Sequence, residues 1–257
     1  MIILKSLREI ALMRAGGRIL AEVMQQLKTF VKPGISTLEI DREVEAFILS
    51  RDAQPAFKGY RGFPATVCTS INEEVVHGIP LASRLVKEGD IIGLDLGCIV
   101  EGYYADAAFT LAVGEIPSRV QDLLDVTRES LYRGIAQCWP GRRLGDLSHA
   151  IQQHVEAHGF SVVRVFVGHG IGVALHEDPQ VPNFGEPGRG PTLKPGMVLA
   201  IEPMVTMGTH EVRILPDRWT AVTEDGSLAA HFEHTVAITE DGPEILTAPG
   251  DGDAQAA

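Results

Sequence analysis

The chain has 257 residues, 45% hydrophobic and 22% charged, with 34 acidic against 22 basic side chains and a formal net charge of -12. That length can bury a substantial core as one domain, and the acidic balance argues against a general or sequence-specific nucleic-acid binder. No run of 18 apolar residues offers a membrane span, and Met1-Ile2-Ile3-Leu4-Lys5 is too short an apolar stretch for a signal peptide, so a cytoplasmic protein is expected.

Apolar residues at helical spacing predict a first helix over about residues 7–30, stopped by Val31-Lys32-Pro33-Gly34. Ser36-Thr37-Leu38-Glu39 has the capping-box pattern that opens a second helix. Strand signals follow at residues 65–70, 91–99 and 104–113, the last two joined through Glu101-Gly102 as a two-residue hairpin turn. A helical pattern over residues 119–138 is interrupted by Pro140-Gly141, and an amphipathic helix runs over residues 144–158. Further strands are predicted at residues 162–167, 198–201 and 232–238, and residues 247–257 read as a flexible tail. The pattern is mixed α/β, of the α+β kind, and its hairpins disfavour a doubly wound parallel sheet. Cys68, Cys98 and Cys138 are odd in number and widely spaced, which fits reduced thiols better than a disulfide framework or a zinc finger.

Two stretches 107 residues apart read almost alike and each ends in an acid: Lys87-Glu88-Gly89-Asp90-Ile91-Ile92-Gly93-Leu94-Asp95 and Lys194-Pro195-Gly196-Met197-Val198-Leu199-Ala200-Ile201-Glu202. The same offset sets Pro33-Gly34 on Pro140-Gly141, and Ile40, Val44 and Ile48 on Leu147, Ile151 and Val155. This internal duplication suggests two half-domains that face each other, with their paired acids meeting at the join.

A two-residue turn at Glu101-Gly102 places Asp106 opposite Gly97 and Asp95 opposite Ala108, so both acids share one sheet face. Held together away from water, two carboxylates need compensating cations. Gly168-His169-Gly170-Ile171-Gly172 sets a histidine between residues without side chains, which allows close approach to a ligand. In His231-Phe232-Glu233-His234-Thr235, Glu233 and His234 point to opposite faces. His77-Gly78-Ile79-Pro80 and His176-Glu177-Asp178-Pro179 occupy matching places before the two repeated strands, with eight extra residues in the second copy.

The ordered set Asp95, Asp106, His169, Glu202 and Glu233, with Gly-His-Gly-Ile-Gly and Ile-Glu-Pro around two of its members, resembles the type I methionine aminopeptidases over nearly the whole chain. The resemblance implies the pita-bread fold: two pseudo-symmetric halves, about 1–113 and 114–246, forming one catalytic domain around a dinuclear metal site. It implies that Asp106 and Glu233 bridge two ions, that His169 and Glu202 complete one, and that Asp95 binds the other. Four carboxylates and a neutral imidazole carry about -4, which two divalent cations cancel; Co, Mn, Fe and Zn all suit such donors.

The implied activity is co-translational removal of the N-terminal methionine when the second residue is small, by hydroxide generated between the ions. Glu202 would shuttle a proton, His176 would stabilise the oxyanion, and His77 would hydrogen-bond near the scissile amide. Phe57, Tyr60, Phe63, Cys68, His77, His176 and Trp219 would bind the substrate, and Phe57 stands where some relatives have a cysteine. The implied partners are the N-terminal peptides of nascent proteins, with the ribosome surface as a further candidate, and the implied state is a monomer. Two alternatives stand beside this reading. An X-Pro aminopeptidase or prolidase shares the fold but normally carries an extra N-terminal domain, and only about 85 residues precede the first repeated strand. A non-catalytic binding module would be expected to lose metal ligands, and all five, four acids and one histidine, are present.

Overall fold

Two capping boxes start the first two helices. The Ser36 hydroxyl accepts from the Glu39 N–H at 3.2 Å while the Glu39 carboxylate accepts from the Ser36 N–H at 2.9 Å, which opens α2 (Thr37–Ser50). Ser6 and Glu9 do the same for α1 (Leu7–Phe30). The second pair of helices is α3 (Ser118–Ile135) and α4 (Leu144–Ala157). The computed structural model describes residues 1–248, so residues 249–257 of the expected tail lie outside the described residues.

The duplication is written into the backbone. The Gly34 N–H donates to the Val86 carbonyl and the Gly141 N–H to that of Leu193; Thr37 donates to Arg84 and Leu144 to Pro191; Val86 donates to Ile35 and Leu193 to Arg142. Each bond recurs at the 107-residue offset. Gly34 and Gly141 have φ of 93° and 87°, and Gly89 and Gly196 have 85° and 90°, left-handed values that exclude most side chains. Ile40, Val44 and Ile48 in α2 and their counterparts Leu147, Ile151 and Val155 in α4 are all buried in the core.

α1 packs against a nine-stranded antiparallel sheet. Its strands are β1 (Gln54–Pro55), β2 (Val67–Ile71), β3 (Ile91–Val100), β4 (Tyr103–Ala112), β5 (Gly168–Gly170), β6 (Glu177–Val181), β7 (Val198–Ile201), β8 (Glu233–Thr239) and β9 (Gly242–Ile245). The order is β1-β3-β4-β8-β7-β5-β6, with β2 added on β3 and β9 on β8. The β4–β8 pairing is where sheet from the first copy meets sheet from the second. The β3–β4 turn has φ of 48° at Glu101 and 84° at Gly102, the left-handed pair that a tight two-residue hairpin requires. It delivers the register expected from sequence: Asp95 opposite Ala108 and Gly97 opposite Asp106.

Two expectations are corrected. Over residues 162–167 only Val162 is strand, in the short strand Ser161–Val162 that pairs with Met204–Thr206 in a separate three-stranded sheet; after the Val163 N–H bonds to the Met204 carbonyl the chain leaves that sheet and brings Phe166 and Val167 to a cavity wall. The tail does not begin at Thr247: that residue is buried, and its hydroxyl accepts from the Thr235 N–H at 3.2 Å and meets His234 Nδ1 at 2.8 Å.

Candidate metal centre and active site

Strand periodicity decides which side chains meet. Asp95 on β3 and Glu233 on β8 both stand opposite Ala108 on β4, so the three share one face, and Asp106, two residues from Ala108, shares it too. His169 and Thr235 both stand opposite Ala200, and Glu202, two residues further on, continues that row. All five expected donors therefore project from the same side of one sheet. Small residues keep that side open: Gly93, Gly97 and Ala108 lie among the acids, and a Cβ at Gly97 would press on the Phe57 ring at 2.7 Å.

Donor atoms of Asp106, His169 and Glu233 lie within 4.8 Å of one another. His169 Nε2 is 3.8 Å from Asp106 Oδ2 and 3.5 Å from Glu202 Oε1. The His169 Nδ1–H donates to the Gly170 carbonyl at 2.9 Å, which leaves the Nε2 lone pair facing the acids. Asp95 Oδ1, Asp106 Oδ1 and Glu233 Oε1 are buried without a hydrogen-bond partner. Burial pushes the Asp95 carboxyl up to about 7, against hydrogen bonds from Asp106 and Cys68 that favour the ionised form. Burial, and then the charge of Asp95, raises Asp106 well above the carboxylate range. Glu202 and Glu233 rise in the same way, through burial and then the charge of Asp106. Buried, mutually repelling oxygens with unused lone pairs beside a neutral imidazole are a donor set that fits divalent cations, and they fit two better than one.

A single cavity adjoins these donors. Phe57, Tyr60, Phe63, Cys68, His77, His176 and Trp219 line it together with Asp95, Asp106, His169, Glu202 and Glu233, so the structure brings together every sequence-predicted site residue. His176 stacks on Tyr60 with ring centroids 5.4 Å apart, and its Nδ1 lies 2.9 Å from the Tyr60 hydroxyl. Its other face packs 4.2 Å from the His169 ring. His77 has φ of 62°, a strained value for a side chain with a Cβ, and its ring is edge-on to Phe166 and Trp219. Burial lowers His77 to about 4 and lowers His176 too, so both imidazoles are neutral at pH 7. Cys68, directly across from Asp95 in the β2–β3 register, has its thiol pushed up by burial.

Sequence reasoning missed six lining residues: Arg61, Val76, Phe166, Val167, Leu175 and Met204. It also missed His231, whose buried and unpartnered Nε2 lies 3.7 Å from Glu202 Oε2. Only the pairing of His231 with Met204 reveals that contact.

A model of metallopeptidase family M24 matches residues 11–240. The methionine aminopeptidase of Clostridium acetobutylicum is 56% identical over 96% of this chain and 99% of its own length. Methionine aminopeptidase 1 of Bacillus subtilis has the same identity and coverage. The crystal structure of methionine aminopeptidase from Thermotoga maritima superimposes with a TM-score of 0.95 at 49% identity, covering 96% of this chain and all of that one.

Proposed function

The chain belongs to metallopeptidase family M24, and on that premise we propose that it removes the N-terminal methionine from peptides and nascent proteins whose second residue is small. The observation that carries the reading is the row of buried acids and His169 on one sheet face, opening into a cavity walled by Phe57, Phe63, Cys68 and Trp219. An aromatic pocket with a thiol suits a polarizable thioether. Residues 1–246 act as one catalytic unit made of the two repeated halves.

Asp106 and Glu233 would each touch two divalent ions, His169 and Glu202 would complete one, and Asp95 would hold the other. Bound there, such ions supply a water acidic enough to attack at neutral pH and polarise the scissile carbonyl. Glu202, at the wall of the cavity beside the other donors, is suited to take the proton from the attacking water and pass it to the leaving amine. If the Tyr60 hydroxyl donates to His176 Nδ1, the Nε2–H is free to donate to the oxyanion. His77, neutral and fixed between Phe166 and Trp219, is placed to hydrogen-bond near the scissile amide. A branched or long second residue would meet the rim near His77 and push the carbonyl out of line, and a shift of about 1 Å can cost on the order of 10²-fold in rate.

No helix among the described residues is long and apolar enough to cross a membrane. A cytoplasmic monomer working where nascent N termini leave the ribosome accords with that and with the substrate. The test is kcat/KM across a Met-X-Ser series with one metal throughout. Met-Ala, Met-Gly and Met-Ser peptides should be cleaved far faster than Met-Leu, Met-Lys or Met-Phe. A flat profile over X, or a preference for proline at X with indifference to the first residue, rejects the reading in favour of a proline-directed peptidase.

A further inference from the structure

His176 ends an irregular excursion, residues 171–176, between β5 and β6. The residue after it anchors the segment. Glu177 Oε2 accepts from Lys5 Nζ at 2.6 Å, and Glu177 Oε1 accepts from the Ala174 N–H at 3.2 Å, within the excursion itself. The pair is nearly sealed from solvent, with side-chain exposures of 3% for Lys5 and 7% for Glu177. Lys5 reaches it from the strand-like start of the chain, where Nζ also donates to the Ile3 carbonyl at 3.1 Å. The Lys5 N–H donates to the Gly196 carbonyl at 2.7 Å, in the turn that launches β7 toward Glu202. Gly172 makes room for this packing, since a Cβ there would collide with Lys5 Cε and Glu177 Oε1. Next door, the Met1 ammonium pairs with Asp178.

Stability alone is a poor account of such a pair. Taking both charges out of water offsets most of their attraction, and apolar side chains of similar volume commonly hold a site as well. What a short, buried, doubly hydrogen-bonded pair does confer is a fixed position. We propose that Lys5 is a positioning residue for His176: through Glu177 it ties the 171–177 segment to the β7 turn and so sets where the imidazole stands beside the metal centre. This rests on the reading of His176 as the oxyanion donor. Slack in that tie moves the donor while Phe57, Phe63, Cys68 and Trp219, on other segments, keep their places in the cavity wall.

The test is a cycle of Lys5→Met and His176→Ala in the manganese-loaded enzyme, with kcat, KM and manganese content measured on Met-Ala-Ser. Lys5→Met should lower kcat roughly tenfold, with KM and manganese content unchanged. In the His176→Ala background the same change should alter kcat by less than about twofold, because no imidazole remains to be placed. Lys5→Met/Glu177→Gln, which removes both charges and keeps the volume, should match Lys5→Met. If Lys5→Met does not fold, Glu177→Gln carries the same cycle. An equal fall in both backgrounds, a wild-type kcat for Lys5→Met, or a loss confined to KM or manganese content overturns the positioning role. A wild-type kcat for His176→Ala overturns instead the reading on which it rests.

Discussion

His169 and His176 lie ring against ring, yet their hydrogen bonds assign them different work. His169 gives its Nδ1–H to a backbone carbonyl and turns Nε2 toward Asp106 and Glu202, whereas His176 meets the Tyr60 hydroxyl and, among the described residues, has no carboxylate within ion-pair reach. His169→Ala should therefore lose metal and activity together, as should Asp106→Ala. His176→Ala should keep its metal and lose roughly 10²–10³ in kcat, the size expected for one oxyanion donor. Calorimetric titration with Mn²⁺ beside steady-state kinetics checks the pattern, and the opposite result would exchange the two roles. Asp95, Asp106 and Glu202 were legible in the sequence through the repeat and the hairpin register, while His169, marked only by its flanking glycines, and Glu233 entered the ligand set through the family resemblance. Arg61 and Phe166, which reach the cavity, and His231, which reaches Glu202, were not, because each arrives by a backbone path that no local pattern encodes: a left-handed residue with φ of 50°, a chain that leaves its strand early, and a pairing with Met204.

At the level of elements, the two copies can be compared position by position. Ser36 caps α2 through its hydroxyl, but the matching residue before α4 is Arg143, which has no acceptor to offer; only the return bond survives, from the Arg143 N–H to Asp146 Oδ2 at 2.9 Å. Ser36→Ala should cost about 1 kcal/mol, and Arg143→Ser should add roughly 0.5–1 kcal/mol, by completing the box. Urea unfolding of the two variants reads both signs, and a destabilised Arg143→Ser would show that its contact with the Gly190 carbonyl at 3.1 Å matters more than the cap. The β3–β4 hairpin was legible to the residue because a two-residue turn leaves a single register, and that register carries two of the acids. The stretch Val162-Val163-Arg164-Val165-Phe166-Val167 was not, since an apolar run looks the same whether it pairs in a sheet or lines a cavity. Thr247 reads as tail by composition, but two hydrogen bonds to β8 hold it in the fold.

Over the whole molecule, the first copy contributes Asp95 and Asp106 to the join and the second contributes His169, Glu202 and Glu233, so cations held there would also tie the halves together. Proton linkage makes this visible in the metal-free protein, provided the opposing groups are separated by pH. Surface carboxylates such as Glu9 and Asp225, lowered to about 2 by hydrogen bonds from Ser6 and Ser227, contribute stability that is lost only as pH falls below about 4. Buried histidines held neutral, such as His169 at about 3 and His234 at about 4, bind fewer protons folded than unfolded, so their effect raises stability with pH and is complete about one unit above the unfolded value of about 6.5. The acids of the centre have the reverse sign. Asp95 is raised to about 7, and burial raises Asp106, Glu202 and Glu233 well above the usual carboxylate range, so their stabilising neutral forms are fully present below the unfolded value of about 4 and are lost as pH climbs through the folded values. Between about pH 7.5 and 8.5, where the histidines have ceased to act and Asp95 is already ionised, those of Asp106, Glu202 and Glu233 still protonated in the folded protein set the slope, and the buried thiols begin to act in the same direction. The Tm of the chelated protein should therefore fall across that interval. The rise in Tm on adding Mn²⁺ should grow across it, because metal competes with protons for the same oxygens. Thermal unfolding with chelator and with Mn²⁺ at three pH values decides it: a chelated Tm that stays level or climbs would mean that the four carboxylates do not share one buried, cation-dependent site.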